Sequence, residues 1–88
     1  MKTYRIILTS EAQTDLRKIA SATRTRLLDK LEWVGENLEL IQHQALQGEE
    51  WKGCFKYRVG DYRVIYRIDY SSTSVFILKV GHRRDVYN

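Results

Sequence analysis

Four cations lie close together in the stretch KYRVGDYRVIYR, residues 56–67: Lys56, Arg58, Arg63 and Arg67. Lysine and arginine bind phosphate through charge-assisted hydrogen bonds, and the planar guanidinium group can contact two phosphate oxygens at once. Like charges that face each other across neighbouring strands repel, so a sequence selected only for stability would tend to avoid them. The stretch therefore predicts an anion-binding surface. The alternative is that these side chains simply extend into water.

The surplus of positive charge belongs to the C-terminal half of the chain. Residues 1–50 contain seven Lys or Arg against eight Asp or Glu, whereas residues 51–88 contain eight against three. Such segregation is expected where one surface of a protein meets a polyanion. An evenly solvated basic surface is the less specific alternative.

The length of 88 residues predicts a single domain, residues 1–88, with one modest core. The chain has one cysteine and no Cys/His cluster, so we expect no disulfide framework, no metal site and no cofactor. The apolar run IIL, residues 6–8, is too short for a signal sequence or a membrane span. These features favour a cytoplasmic protein without a membrane partner.

The first half of the chain predicts one strand followed by two helices. Residues 3–9, TYRIILT, alternate as a strand does, and Ser10 with Gln13 has the spacing of a capping box at a helix start. Apolar residues then recur at helical spacing in two stripes: Ala12, Leu16, Ile19 and Ala20, and after a break near residues 21–23, Leu27, Leu28, Leu31, Val34 and Leu38. Both helices are amphipathic, and their short connection predicts an antiparallel helical hairpin. Residues 39–50 are expected to form a loop.

From Trp51 onwards the period of the sequence changes to two, which predicts three strands: WKGCFKYRV, YRVIYRID and VFILKVG. The turns between them are Gly60-Asp61 and YSSTS. The element order is therefore β-α-α-β-β-β. We predict an α+β fold in which the helical hairpin packs on one face of a mainly antiparallel, twisted sheet.

A type II′ turn at Gly60-Asp61 would determine the register of the first hairpin, with Val59 opposite Tyr62 and Arg58 opposite Arg63. Alternation then assigns the core face these residues: Phe55, Tyr57, Val59, Tyr62, Val64, Tyr66 and Ile68. It assigns the opposite, cationic face these: Lys52, Cys54, Lys56, Arg58, Arg63, Ile65, Arg67 and Asp69. In the last strand we expect Phe76, Leu78 and Val80 in the core, and Val75, Ile77 and Lys79 on the cationic side.

Two motifs carry a resemblance to a known family. LQGEEWKGCFKYRVGDYRVIYRID and VGHRRDVY resemble the RelE/ParE toxin superfamily of bacterial type II toxin–antitoxin systems, and the basic, aromatic C-terminus is closer to the RelE branch. The resemblance covers nearly the full chain and implies a RelE-like, microbial-RNase-like fold. It implies a metal-independent endoribonuclease that cuts mRNA in the 30S A site of the ribosome by 2′-OH attack on the adjacent phosphate. It also implies a cognate antitoxin protein as a partner.

The resemblance assigns catalytic roles to six residues: Lys56, Arg58, Arg63, Arg83, His82 and Tyr87. Tyr87 matches an aromatic residue that stacks on a substrate base. The neighbouring cations are expected to bind RNA: Lys52, Arg67, Lys79 and Arg84. An insertion or deletion of one residue would exchange the roles of Arg83 and Arg84.

One departure from the family pattern leaves the general base open. Arg58 stands where the RelE pattern has a second lysine, and arginine does not give up its proton in proteins. Lys56 is one alternative, because neighbouring arginine charges disfavour its protonated form. His82 is the other, because imidazole ionises nearest to neutral pH.

Two other functions remain open from the sequence: a ParE-like DNA gyrase inhibitor that acts by binding, and a fold relative that has lost activity. Trp33 and Trp51 are expected to pack in the core, and Cys54 to be a bystander thiol. His43 has no evident partner in the sequence.

Overall fold

In a computed structural model that describes residues 2–84, two helices cover one face of a five-stranded mixed sheet. The elements are β1 (Arg5–Leu8), α1 (Ser10–Arg17), α2 (Ser21–Glu36), β2 (Gln44–Ala45), β3 (Phe55–Val59), β4 (Tyr62–Asp69) and β5 (Ser74–His82), with 3₁₀ turns at Leu38–Leu40 and Glu49–Trp51. The strand order is β1-β5-β4-β3-β2; the β1–β5 pairing is parallel, and the β5–β4, β4–β3 and β3–β2 pairings are antiparallel. The predicted α+β fold is confirmed, with the short β2 added inside the expected loop. No helix within residues 2–84 has the length and apolar character needed to cross a membrane.

Both predicted helices are present, but the break between them falls at residues 18–20 instead of 21–23, so that α1 ends before Ile19 and Ala20 and α2 already begins at Ser21. The cap of α1 is Thr9 rather than Ser10, because the Thr9 hydroxyl accepts a hydrogen bond from the Ala12 N–H at 3.3 Å. In α2, Leu27 and Leu31 are buried, whereas Leu28 is 39% exposed. Trp33 is 43% exposed instead of packed in the core, and the Lys30 ammonium group lies over its ring.

The core lies between the helices and the sheet. Its buried members come from both helices, from β4 and β5, and from the segments before β1 and after α2: Tyr4, Ala12, Leu16, Leu27, Leu31, Val34, Leu38, Val64, Tyr66, Val75, Ile77 and Val80. The remaining core-face residues of the hairpin pack against them as predicted: Phe55, Tyr57, Val59, Tyr62 and Ile68.

The β3–β4 hairpin has the register that the sequence predicts. Val59 pairs with Tyr62 and Arg58 with Arg63. Gly60 has a φ of +59°, whereas among residues 2–84 only Thr73 has a positive φ without being glycine. A positive φ at the first central residue alone is the mark of a type II′ turn. The local turn chemistry thus determines which side chains share the cationic face.

The prediction for β5 is wrong in part, because the strand contains a β-bulge. Ile65 pairs with Lys79 while its neighbour Tyr66 pairs with Ile77, so Leu78 is an extra residue without a partner. The insertion reverses the alternation of the strand. Val75 and Ile77 are therefore fully buried in the core, not on the cationic side. Phe76 pairs with Arg67 on the cationic face, and Leu78 packs on that face too. Val80 and Lys79 lie on the predicted sides.

A small second cluster covers part of the cationic face. Cys54 and Ile65 are buried there, and three residues pack against them: Leu46, Trp51 and Leu78. Trp51 was expected on the core face, but it lies in a 3₁₀ turn that precedes β3, where strand alternation does not apply. The loop before β3 is thereby packed onto the sheet beside the cations.

Candidate functional site

Two rows of residues cross β3, β4 and β5 on the face that points away from the helices. One row is Lys56, Ile65 and Lys79, and the next is Arg58, Arg63 and Gly81. Residues that pair directly across strands point to the same side of a sheet. The structure therefore brings Lys56, Arg58, Arg63 and Lys79 together on one surface.

The two opposed arginines, Arg58 and Arg63, donate hydrogen bonds to backbone carbonyls. Arg58 donates from Nε to the Gly60 carbonyl oxygen at 3.2 Å, and Arg63 donates from Nη1 to the Tyr62 carbonyl oxygen at 3.4 Å. Within residues 2–84, neither guanidinium group lies within 4.0 Å of a carboxylate oxygen. The positive charge of this pair is not neutralised by the part of the chain that the structure describes. Such a pair can accept an anion between the two strands.

The end of β5 adds Arg83 to the same region. The Arg83 N–H donates to the Asp61 carbonyl oxygen at 2.8 Å, which continues the β4–β5 ladder one step beyond the Tyr62–His82 pair. Arg83 is exposed beside the hairpin turn, as is the next residue, Arg84. Tyr87 lies outside the described residues, so its predicted role stays a prediction.

His82 lies on the other side of the sheet from Lys56. It pairs with the core-face residue Tyr62, and the two rings meet edge to face with their centres 5.7 Å apart. His82 borders a cavity of about 290 Å³ at the outer edge of β5, which is also lined by Asp15 and Lys18 at the end of α1 and by Lys79 and Gly81. Of the two candidate bases, Lys56 lies on the face of the opposed arginines, whereas His82 lies on the opposite face at the edge of the sheet.

Arg67 and Lys52 extend the cationic face towards the second cluster. Arg67 donates from Nη2 to the Cys54 sulfur at 3.3 Å and to the Lys52 carbonyl oxygen at 3.5 Å. These contacts fasten the loop before β3 to β4. Cys54 is only 3% exposed, and its predicted role as a bystander thiol stays a prediction.

His43 has two partners that the sequence did not reveal. Its Nδ1 lies 2.6 Å from the Tyr66 hydroxyl, and its Nε2 lies 3.1 Å from the Leu38 carbonyl oxygen. Because a carbonyl only accepts, Nε2 carries the proton and the Tyr66 hydroxyl donates to Nδ1. Burial raises the pKa of Tyr66, which keeps this hydroxyl a donor. A buried tyrosine hydroxyl needs a hydrogen-bond partner, so the prediction of Tyr66 on the core face already implied that a polar side chain lies beside it.

Among residues 2–84, no three His, Cys, Asp or Glu side chains lie together closely enough to hold a metal ion. The groups that the cationic face offers are ammonium and guanidinium groups, which bind anions.

The chain is similar to known toxins over most of its length. Residues 6–87 match the family model described as the ParE toxin of type II toxin–antitoxin systems. Toxin RelG from Mycobacterium tuberculosis is 32% identical over 84 residues, which make up 96% of this chain and 95% of that toxin.

Solved structures of toxins share the fold. A chain in the toxin–antitoxin complex RelBE2 from Mycobacterium tuberculosis superimposes with a TM-score of 0.83 and 32% identity, covering 97% of both chains. The isolated Escherichia coli RelE toxin gives 0.69 and 28%, covering 97% of this chain and 92% of RelE. A chain of the archaeal RelE–RelB complex from Pyrococcus horikoshii gives 0.73 and 25%, covering 97% and 100%.

Proposed function

Because the chain belongs to the RelE/ParE toxin superfamily of type II toxin–antitoxin systems, we propose that it is a ribosome-dependent endoribonuclease that cuts mRNA in the A site. The observation that carries this proposal is the Arg58–Arg63 pair. Both guanidinium groups lie on an exposed sheet face without a carboxylate partner in residues 2–84. In this proposal they bind the scissile phosphate of an mRNA in the cytoplasm.

The proposed reaction is a transesterification within the RNA strand. The ribose 2′-oxygen forms a bond to the adjacent phosphorus, and the bond from phosphorus to the 5′-oxygen breaks. A base takes the proton of the 2′-hydroxyl, and an acid gives a proton to the leaving 5′-oxygen. Negative charge grows on the phosphoryl oxygens between these steps. Arg58, Arg63 and Arg83 would stabilise that charge without any metal ion.

Lys56 is the proposed general base. It lies two residues from Arg58 on the same face and next to the buried side chain of Ile65. His82 faces Tyr62 on the opposite side of the sheet, so it would need a change of backbone to reach the same phosphate. Tyr87 is proposed to stack on a substrate base.

The remaining cations would bind the RNA on either side of the cut. Lys52 and Arg67 lie towards the second cluster, Lys79 lies in the same row as Lys56, and Arg84 is an exposed residue next to Arg83. Contacts of this kind read charge rather than sequence, and they weaken as salt concentration rises.

A cognate antitoxin is the proposed protein partner. The similar chains from Mycobacterium tuberculosis and Pyrococcus horikoshii were solved in complexes with their antitoxins. A basic face favours a partner segment that is acidic or amphipathic and that orders as it binds.

Inhibition of DNA gyrase by binding is the second candidate function, because the matching family model is that of ParE toxins. This function would need the surface of the protein but no proton transfer. A substitution that removes only a catalytic cation would then leave toxicity intact.

Primer extension on a reporter mRNA with translating ribosomes separates the two functions. We expect discrete cuts within codons from the wild-type protein and none without ribosomes. Arg83→Ala should reduce cutting by about 10²-fold or more, the usual cost of removing one group that stabilises transition-state charge. Arg17→Ala, an exposed arginine on α1, is the matched control and should cut normally. Intact mRNA from a protein that still arrests growth would contradict the nuclease proposal and favour gyrase.

A further inference from the structure

Gly81 leaves one position empty in the cationic face. It pairs directly with Arg63, so a side chain at residue 81 would stand beside that of Arg63 on the side facing away from the helices. Glycine is unfavourable inside a strand, and where it occurs it often marks a close approach of a ligand or of another backbone. Gly81 lies within β5 and has no positive φ to require glycine.

Three cations surround this bare stretch of backbone. Arg63 lies across the strand pair from Gly81, and Lys79 lies two residues earlier on β5 and on the same face. Arg83 lies two residues later, where its N–H still bonds to Asp61 and extends the ladder. Lys79 and Gly81 are two residues apart within β5 and therefore point to the same side. Arg83 follows the end of the strand, so Gly81 has one cation across the strand pair and one on either side of it along the chain.

The bulge at Leu78 is what brings these residues to the cationic face. Ile77 points into the core, and in a regular strand Lys79 and Gly81 would follow it there. The extra residue reverses the alternation, so that Val80 returns to the core and its two neighbours face outwards. Bulges frequently aim side chains at functional sites.

The fourth side of Gly81 faces a cavity that Asp15, Lys18 and Ile19 also line, at the end of α1. The β1–β5 pairing ends at the Leu8–Ile77 pair, and no described strand lies beside the outer edge of β5 after that point. The outward N–H of Val80 bonds instead to the Asp15 carboxylate at 3.0 Å, on the helix side of the sheet. A strand of RNA could thus approach Gly81 from the edge of the sheet.

We propose that Gly81 forms the floor of a phosphate niche, bordered by Arg63, Lys79 and Arg83, in which the RNA backbone contacts the protein backbone directly. This rests on the proposed nuclease function and adds a specific binding position to it. The ligand is a phosphodiester of a single RNA strand. The phosphate can enter the niche only if residue 81 has no side chain, because even a methyl group there would hold the phosphate away from the cations.

The test uses Gly81→Ala and Gly81→Val in the full-length protein. Replacing glycine in a strand by a residue with higher β-propensity should leave the melting temperature unchanged or raise it. The affinity for RNA should decrease in both variants. We expect a graded loss, reaching about 10²-fold in cleavage for Val, because a displacement of about 1 Å at a reacting group has an effect of that size. Ala45→Val, at an exposed strand position whose partner Phe55 is on the core face, is the matched control.

Two readouts separate this proposal from the proposed function. Binding is measured at low salt by fluorescence anisotropy with an RNA oligonucleotide that carries a 2′-deoxy residue at the cut position, and cleavage is measured by primer extension with ribosomes. Weaker binding by folded Gly81 variants supports the niche, even if the wild-type protein cuts no mRNA and the nuclease function fails. Equal binding by wild type and both variants overturns the niche while leaving cleavage intact. No binding by the wild-type protein also overturns the niche.

Discussion

The β3–β4 hairpin and β5 both supply cations to one face of the sheet, but their side chains reach that face in different ways. The hairpin is regular from Val59–Tyr62 to Phe55–Tyr66, and one turn residue, Gly60, sets its register. In β5 the alternation is interrupted at Leu78, and the cations beyond that residue face outwards because of the interruption.

The contacts around the bulge come from distant parts of the chain. The Ile77 carbonyl oxygen accepts hydrogen bonds from the Thr9 hydroxyl at 2.7 Å and from the Thr9 N–H at 3.2 Å. On the other side of Leu78, the Val80 N–H donates to Asp15 at 3.0 Å. Thr9, which caps α1, and Asp15, near the end of α1, therefore bond to the backbone groups on both sides of the bulge. A local turn therefore defines the part of the site that lies on the β3–β4 hairpin, whereas tertiary contacts define the part that lies on β5.

The largest expected effect tests which residues of β5 belong to the core. Ile77→Ala should lower the free energy of unfolding by about 2–5 kcal/mol, because the side chain is fully buried. Leu78→Ala should cost less, because Leu78 is only partly buried in the small second cluster. A regular strand predicts the opposite order. Urea unfolding of both variants measures the difference, and a larger loss for Leu78→Ala would refute the bulge.

The next prediction concerns the turn of the regular β3–β4 hairpin. Gly60→Ala should lower the free energy of unfolding by about 1–2 kcal/mol, because an L-residue at a φ of +59° is strained. Space is not the cause, since the nearest atom to an added Cβ is the end of the Arg26 side chain at 3.6 Å. Asp61→Ala at the neighbouring turn position should change stability by less than about 0.5 kcal/mol. Equal effects of the two substitutions would show that the turn is not type II′.

A smaller effect is expected where β4 is anchored by His43. His43→Phe keeps an aromatic ring beside Phe55 and Tyr66 but leaves the Tyr66 hydroxyl without its acceptor. We expect a loss of about 1–2 kcal/mol in thermal or urea unfolding. In the double variant with Tyr66→Phe, most of that loss should be recovered. Additive losses in this cycle would mean that the two side chains do not interact.

The smallest effect concerns the turn that joins the regular strand to the irregular one. The Asp69 carboxylate accepts hydrogen bonds from the Ser71 hydroxyl and from the Ser71 and Ser72 N–H groups, which lower the pKa of Asp69 below its ordinary value of 3.8. A carboxyl group with a lowered pKa in the folded state stabilises the protein above its ordinary pKa. That contribution is lost as the pH falls through the folded-state pKa.

Asp69→Asn should therefore slightly destabilise the protein at pH 7 and reduce the loss of stability on acidification below about pH 4. Melting temperatures of both proteins across an acid series measure this. If the melting temperatures of the wild-type protein and the variant fall in parallel down to pH 2, the assigned hydrogen bonds are contradicted. Asp61→Asn in the β3–β4 turn serves as the control.

Much of this protein was determined by the sequence itself. The periodicity predicted both helices, the α+β fold and the register that sets Arg58 opposite Arg63, because these features depend on residues close together in the chain. The sequence also indicated the cationic face and the toxin superfamily.

The tertiary structure decided the features that depend on distant residues. The bulge at Leu78 is flanked by a hydrogen bond that the Thr9 hydroxyl donates to the Ile77 carbonyl and by one that the Asp15 carboxylate accepts from the Val80 N–H, and no local pattern in β5 reveals these partners. The bulge in turn sets the outward positions of Lys79 and Gly81. The hydrogen-bond partners of His43, the Leu38 carbonyl and the Tyr66 hydroxyl, lie 5 and 23 residues away in the chain. Buried backbone and hydroxyl groups must find partners wherever the fold brings them, and those partners became visible only once the strands and helices had been assembled.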